Sequence, residues 1–157
     1  MLRTVTDADL LVFFADQADP QACAMTASVP REWAVFTAHW AMVRVDPEIL
    51  VQTIDVRGAA AGYITRFRRF GMPEVGYWLG RRFWGRGIAT AALEELLAAC
   101  PERPLFARVA KVNAASLRVV QKAGFEIVAE ETYTNRAGEV VAEYLLRLDA
   151  GVLPHQL

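Results

Sequence analysis

Along the chain the hydrophobic period switches from the helical value of about 3.6 residues to two and back. Leu10, Phe13 and Phe14 fall at helical spacing, which predicts a helix through about Gln17, capped by Thr6 or Asp7, after a short strand over residues 2 to 6. Pro20 interrupts it. A second helix begins near Pro30 and carries Trp33, Phe36, Trp40 and Val43 on one face until Pro47 stops it. That aromatic stripe reads as core. From Ile49 the alternation is strand-like: "ILVQTIDV" and "AGYITRFRR" flank "RGAA" as a hairpin, and "PEVGYWLG" adds a third strand of an antiparallel meander.

Residues 87 to about 100 return to the helical period, with Ala89, Leu93, Leu96, Leu97 and Cys100 on one face and Glu94 and Glu95 on the other, up to Pro101. "PLFARVA" is again a strand, so strand, helix and strand form a unit whose two strands run parallel with a right-handed crossover. A helix capped by Asn113 follows to Ala123, with Gly124 at its exit. The strands "FEIVAEETY" and "EVVAEYLLRL" close the pattern around the turn-rich "TNRAGE". The prediction is one α/β (α+β) domain over residues 1–149 and a poorly ordered tail over 150–157.

Composition narrows the class. With 54% hydrophobic residues, 22% charged residues and a net charge of -1, the chain reads as a folded soluble protein and not as an electrostatic binder of nucleic acid. Cys23 and Cys100 are the only cysteines, without a CxxC or a Cys/His cluster, so neither a disulfide framework nor a metal site is expected and a reduced, cytoplasmic setting fits. An acidic pair stands where a signal peptide would be apolar, and no run reaches the roughly 20 apolar residues of a membrane span.

Candidate chemistry concentrates in "RRFWGRGIAT", residues 81–90. A helix start offers unpaired N–H groups and a partial positive charge to an anion, provided that side chains do not block the approach. Gly85 and Gly87 remove those side chains, while Arg81, Arg82 and Arg86 add charge-assisted donors. A nucleoside triphosphate loop would need Lys-Ser/Thr after the last glycine, where "IAT" stands. A dinucleotide fingerprint would want a third small residue at Thr90 and an acidic residue ending the next strand, and "PLFARVA" has none.

"EVGYWLGRRFWGRGIATAALEELL" resembles the acetyl-CoA-binding motif of the GNAT superfamily of N-acetyltransferases, with Arg82, Gly85 and Gly87 at its marked positions. "NAASLRVVQKAGFEIVAE" is similar to the superfamily's second motif, and the branch most resembled contains the ribosomal-protein alanine N-acetyltransferases. The resemblance implies a mixed, V-shaped sheet of about seven strands flanked by helices, with acetyl-CoA as cosubstrate. It places the pantetheine arm beside the backbone of Trp78 and Leu79 where two strands splay, and the pyrophosphate on the N–H groups of Gly85, Arg86, Gly87, Ile88 and Ala89. Asn113 and Ser116 would stand by the arm and its thiol end.

Acetyl transfer needs a neutral amine, a polarised carbonyl and a proton for the leaving thiolate. Glu74, in the strand leading to the loop and on the face opposite Val75, Tyr77 and Leu79, is the candidate base, with Glu131 in reserve. Many superfamily members carry, as the acid, a tyrosine seven residues after the motif Asn. Here that position is Val120, and the resemblance points instead to Ser116. Both cysteines and His39 read as core residues. The acceptor is an amine on a peptide or protein N-terminus or on a small molecule, with residues 20–33 as one wall of its site. No nucleic acid or membrane partner is expected, and a homodimer stays open. A noncatalytic acyl-CoA-binding sensor of the same fold is the alternative.

Overall fold

A computed structural model describes residues 1–151. The prediction for the C-terminal tail lies, from residue 152 on, outside the described residues. In chain order the elements are β1 (Leu2–Arg3), α1 (Asp7–Gln17), α2 (Pro20–Thr26), α3 (Trp33–Val45), β2 (Leu50–Val56), β3 (Ala59–Arg69), β4 (Met72–Leu79), a 3₁₀ turn (Arg81–Phe83), α4 (Ile88–Ala99), β5 (Leu105–Ala110), α5 (Ala114–Lys122), β6 (Glu126–Thr134) and β7 (Val140–Leu148). The strands form one seven-stranded sheet in the order β1-β2-β3-β4-β5-β7-β6.

Local chemistry sets the helix ends. Thr6 and Asp9 form a reciprocal capping box that starts α1. Asp19 caps α2 through Gln21 N, and Pro20 sits at the first helical position, where its missing N–H costs nothing. The sequence reading took Pro20 as an interruption only; the structure corrects this, since the same proline begins a short helix. No helix among the described residues is long and apolar enough to cross a membrane.

Two apolar clusters cover the two faces of the sheet. One packs Leu93 and Leu96 of α4, Val120 of α5 and Phe125 just after it onto Ile64, Val75, Leu105 and Leu146. The other sets Phe13 of α1 and Phe36 and Trp40 of α3 against Ala60 and Tyr63 of β3. Trp40 meets Tyr63 edge-on at 4.8 Å between centroids, and Trp33, 46% exposed, is the outer member of the stripe and packs on Phe14 at 5.0 Å.

The central strands position the site. β4 pairs antiparallel with β3 over its whole length, from Met72 opposite Arg69 to Leu79 opposite Gly62. Its parallel pairing with β5 covers only Glu74 opposite Phe106 and Val75 opposite Ala107. Beyond Val75 the two strands part, and the edge of Gly76–Leu79 loses its ladder on that side. This is the expected V-shaped opening, in a sheet whose parallel step falls where the sequence placed it.

Candidate active site

The loop after β4 is built to leave backbone bare. Its 3₁₀ turn buries Phe83, and the Trp84 indole donates to the Leu79 carbonyl at 2.8 Å, which anchors the loop to the strand it leaves. Gly85 and Gly87 have φ of +70° and +74°, a region that costs an L side chain about 1–2 kcal/mol. Gly87 is the N-cap of α4, and no side chain bonds the first turn. A methyl group built on either glycine would meet nothing within 4 Å, so the approach to the helix N–H groups is open.

In front of these groups lies a cavity of about 420 Å³, walled by Trp78 and Leu79 on one side, by Gly85 to Thr90 at the helix start, and by α5 opposite. Its rim carries Arg86, Arg118 and Lys122. The last two sit one turn apart on α5, exposed and without ion-pair partners among the described residues. The sequence reading missed them. Basic residues at i and i+4 facing a glycine loop are a usable signal only once α5 is known to pack across from it. Ala22, Met25 and Thr26 of α2 complete the wall of this outer cavity, at the glycine loop; the segment 20–33 was expected to wall the acceptor site.

A second cavity of about 200 Å³ continues inward, sharing Thr26, Tyr77, Trp78, Asn113 and Ser116 with the first. It runs through the sheet between β4 and β5 and reaches Arg108. At the junction the Asn113 side-chain oxygen accepts the Ser116 N–H at 3.1 Å, an N-cap, and the Tyr77 phenol donates to Ser116 Oγ at 3.1 Å. Burial raises the Tyr77 pKa, against the opposing bond to Ser116, so the phenol stays protonated at neutral pH. Val120 is buried in the core one turn further along α5.

On the other face of the sheet, Glu74 is 3% exposed and accepts a hydrogen bond from Arg108. The Arg108 side chain, itself 8% exposed, also bonds Glu131 at 3.2 Å and lies 3.7 Å from Glu143, while Arg69 lies 3.7 Å from Glu74. Burial pushes the Glu74 carboxyl up, and Arg69 and Arg108 hold it back; Glu143 is likewise raised by burial. Three carboxylates thus surround one arginine that reaches the inner cavity. Glu74 itself lines neither cavity, and Arg108, which bonds it, is the link to the inner one.

The remaining candidates separate. Trp78, Leu79, Gly85, Arg86, Gly87, Ile88, Ala89, Asn113 and Ser116 all line the outer cavity. Arg82 does not: it pairs with Asp16 of α1 at 2.8 Å and stacks on Phe83 at 4.8 Å. Arg81 likewise pairs with Asp19 at 3.0 Å. Cys100 is buried, and the Cys23 thiol donates to the Gln17 carbonyl at 3.0 Å. Burial, aided by Arg31 and Arg136, lowers the His39 pKa and keeps the ring neutral in its aromatic surroundings.

Comparison with known proteins agrees with this geometry. The structure superposes on a ribosomal-protein-alanine N-acetyltransferase from Brucella melitensis with a TM-score of 0.77 at 23% identity, covering 95% of this chain and 99% of that one. A phosphinothricin acetyltransferase from Sinorhizobium meliloti, solved with acetyl-CoA, gives 0.78 at 20% identity over 100% and 97% of the two chains. RimJ from Mycobacterium smegmatis, solved with CoA-disulfide, gives 0.74 at 20% identity over 95% and 81%. At these identities the likeness is one of fold. No curated protein matched the sequence. The family model for the acetyltransferase (GNAT) domain matches residues 1–126, from β1 through the glycine loop and α5 to the start of β6, and the chain belongs to that family of acetyltransferases.

Proposed function

We propose that this acetyltransferase moves the acetyl group of acetyl-CoA directly to a primary amine, on a peptide N-terminus or a small molecule. The observation that carries the proposal is the uncapped start of α4 facing Arg86, Arg118 and Lys122 across a cavity that continues between β4 and β5. A pyrophosphate fits the amides of Gly85 to Ala89, and the three cations answer its charge. A narrow arm fits along Trp78 and Leu79, ending at Asn113 and Ser116, which leaves the inner cavity for the acetyl group.

In the reaction the thioester C–S bond breaks, a C–N bond forms, the amine gives up one proton and the departing sulfur takes one. Ser116 is the group assigned to the sulfur. Glu74 is assigned to the amine: its raised pKa moves it towards the range a base needs, and no hydrogen bond occupies its Oε1 among the described residues. With Arg108 between Glu74 and the cavity, its proton arrives through a water. The carboxylates around Arg108 outnumber the arginines, so the cluster of Glu74, Glu131, Glu143, Arg69 and Arg108 favours a cationic acceptor when its groups are ionised.

The test is release of free thiol from acetyl-CoA against a panel of peptide N-termini, diamines and amino sugars. Acceptor-dependent turnover is expected. Tight coenzyme A binding with no turnover on any amine would favour a sensor instead.

A further inference from the structure

α5 offers no phenol at the junction of the two cavities, because Val120 is turned into the core. The structure supplies one from the strand. Tyr77 of β4 lines both cavities, and its hydroxyl donates to Ser116 Oγ at 3.1 Å across 39 residues of sequence. We infer that Tyr77 is a positioning residue that fixes the Ser116 hydroxyl for its work at the sulfur; the inference rests on the acetyl-transfer reading above.

The argument is one of donors and acceptors. A serine hydroxyl has one proton and two lone pairs. In the first turn of a helix an unanchored serine turns its proton to nearby backbone groups, where it is of no use to a ligand. Here the Ser116 N–H is already held by Asn113, and one Oγ lone pair is taken by the Tyr77 O–H. The serine proton is thereby left free for a third partner on the cavity side. When the C–S bond breaks, its electron pair stays on sulfur, which takes the Ser116 proton; the proton that the amine gave to Glu74 is then passed on through water to restore the Ser116 hydroxyl. Tyr77 keeps its own proton throughout, and burial, which disfavours a phenolate, supports that.

The experiment is a double-mutant cycle with Tyr77→Phe and Ser116→Ala, measured by thiol release. Tyr77→Phe should lower kcat about three- to tenfold, the size of one hydrogen bond, while the KM for acetyl-CoA stays within about twofold. In a Ser116→Ala background it should change kcat by less than about twofold. Ser116→Thr, which keeps a hydroxyl, should retain sensitivity to Tyr77→Phe. An unchanged kcat for Tyr77→Phe beside an impaired Ser116→Ala would overturn the inference and leave the proposed reaction standing. Multiplying losses would overturn it too, since Tyr77 would then act without Ser116. A fully active Ser116→Ala would remove the serine from the reaction and the inference with it.

Discussion

Replacing Gly87 by valine separates the folding role of the glycine loop from its binding role. Gly87 has φ +74°, so a side chain there costs about 1–2 kcal/mol, with more for a β-branched residue. The new Cβ itself adds no clash with the rest of the fold, since nothing beyond the adjacent chain lies within 4 Å of it. Against a domain stability of about 5–15 kcal/mol the variant stays folded, with Tm lowered by several degrees. Binding is affected differently. The valine methyls enter the space in front of the first-turn amides of α4, and each hydrogen bond lost to a phosphate oxygen removes about 1.5–3 kcal/mol. Two lost bonds weaken coenzyme A binding roughly 10²- to 10⁴-fold.

Calorimetric titration with coenzyme A reads this directly. Gly87→Ala is the control: it carries the same backbone strain with a smaller obstruction, so it should lower Tm by a similar amount and Kd should suffer less. A Gly87→Val protein that binds coenzyme A with unchanged affinity would refute the placement of the pyrophosphate at this helix start. Equal losses for alanine and valine would assign the effect to a displaced loop and not to blocked amides.

Other perturbations follow from the same geometry. Glu74→Gln should lower the rate at neutral pH by about 100-fold or more, with partial recovery at alkaline pH where the amine is neutral. In the unmodified enzyme, the raised Glu74 pKa should set the acid limb of kcat/KM above the usual carboxylate range, because the base works only when ionised. Arg118→Ala and Lys122→Ala should each weaken coenzyme A binding several-fold, less so at high salt, in a titration repeated at two ionic strengths. Asp9→Ala should cost about 1–3 kcal/mol in denaturant unfolding, since the buried Thr53 hydroxyl loses its acceptor. Burial alone would raise the Asp9 pKa, but the bonds from Arg3, Thr6 and Thr53 hold it well below the usual carboxylate range. Its contribution is therefore present at neutral pH and lost as pH falls through that depressed value, and the variant should show less acid sensitivity.

What was legible in the sequence was whatever depends on neighbours a few residues apart. The period of two over "ILVQTIDV" and the cap at Asn113 mark elements that the structure contains with small shifts of boundary. The glycine loop was legible because its chemistry lies in its own backbone. α2 was missed because seven residues give no apolar stripe, and the proline that starts it looks, from sequence, like a stop. Arg82 was read as an anion ligand because it adjoins the loop. Its actual partner, Asp16, lies 66 residues away and nothing local announces it. Tyr77 and Ser116, and the carboxylates around Arg108, meet only after β4, β5, β6 and β7 have taken their registers, which periodicity does not specify.

That dependence on register makes β4 the element on which both halves of the site turn. Its alternation puts Glu74, Gly76 and Trp78 on the face that Tyr63 and Phe67 share, and Val75, Tyr77 and Leu79 on the face covered by α4 and α5. A slip of one residue would send the phenol away from Ser116 and the carboxylate away from Arg108 together. The pairing with β5 is too short to prevent it, at two residue pairs, because the strands part there around the inner cavity. The register must therefore come from β3. There Gly62 lets the strands approach so closely that a Cβ on it would stand 1.9 Å from the Trp78 carbonyl oxygen. A residue with no side chain in β3 thus holds the end of β4 at the mouth of the cavity, and the sheet can open on one side of β4 because it is closed so tightly on the other.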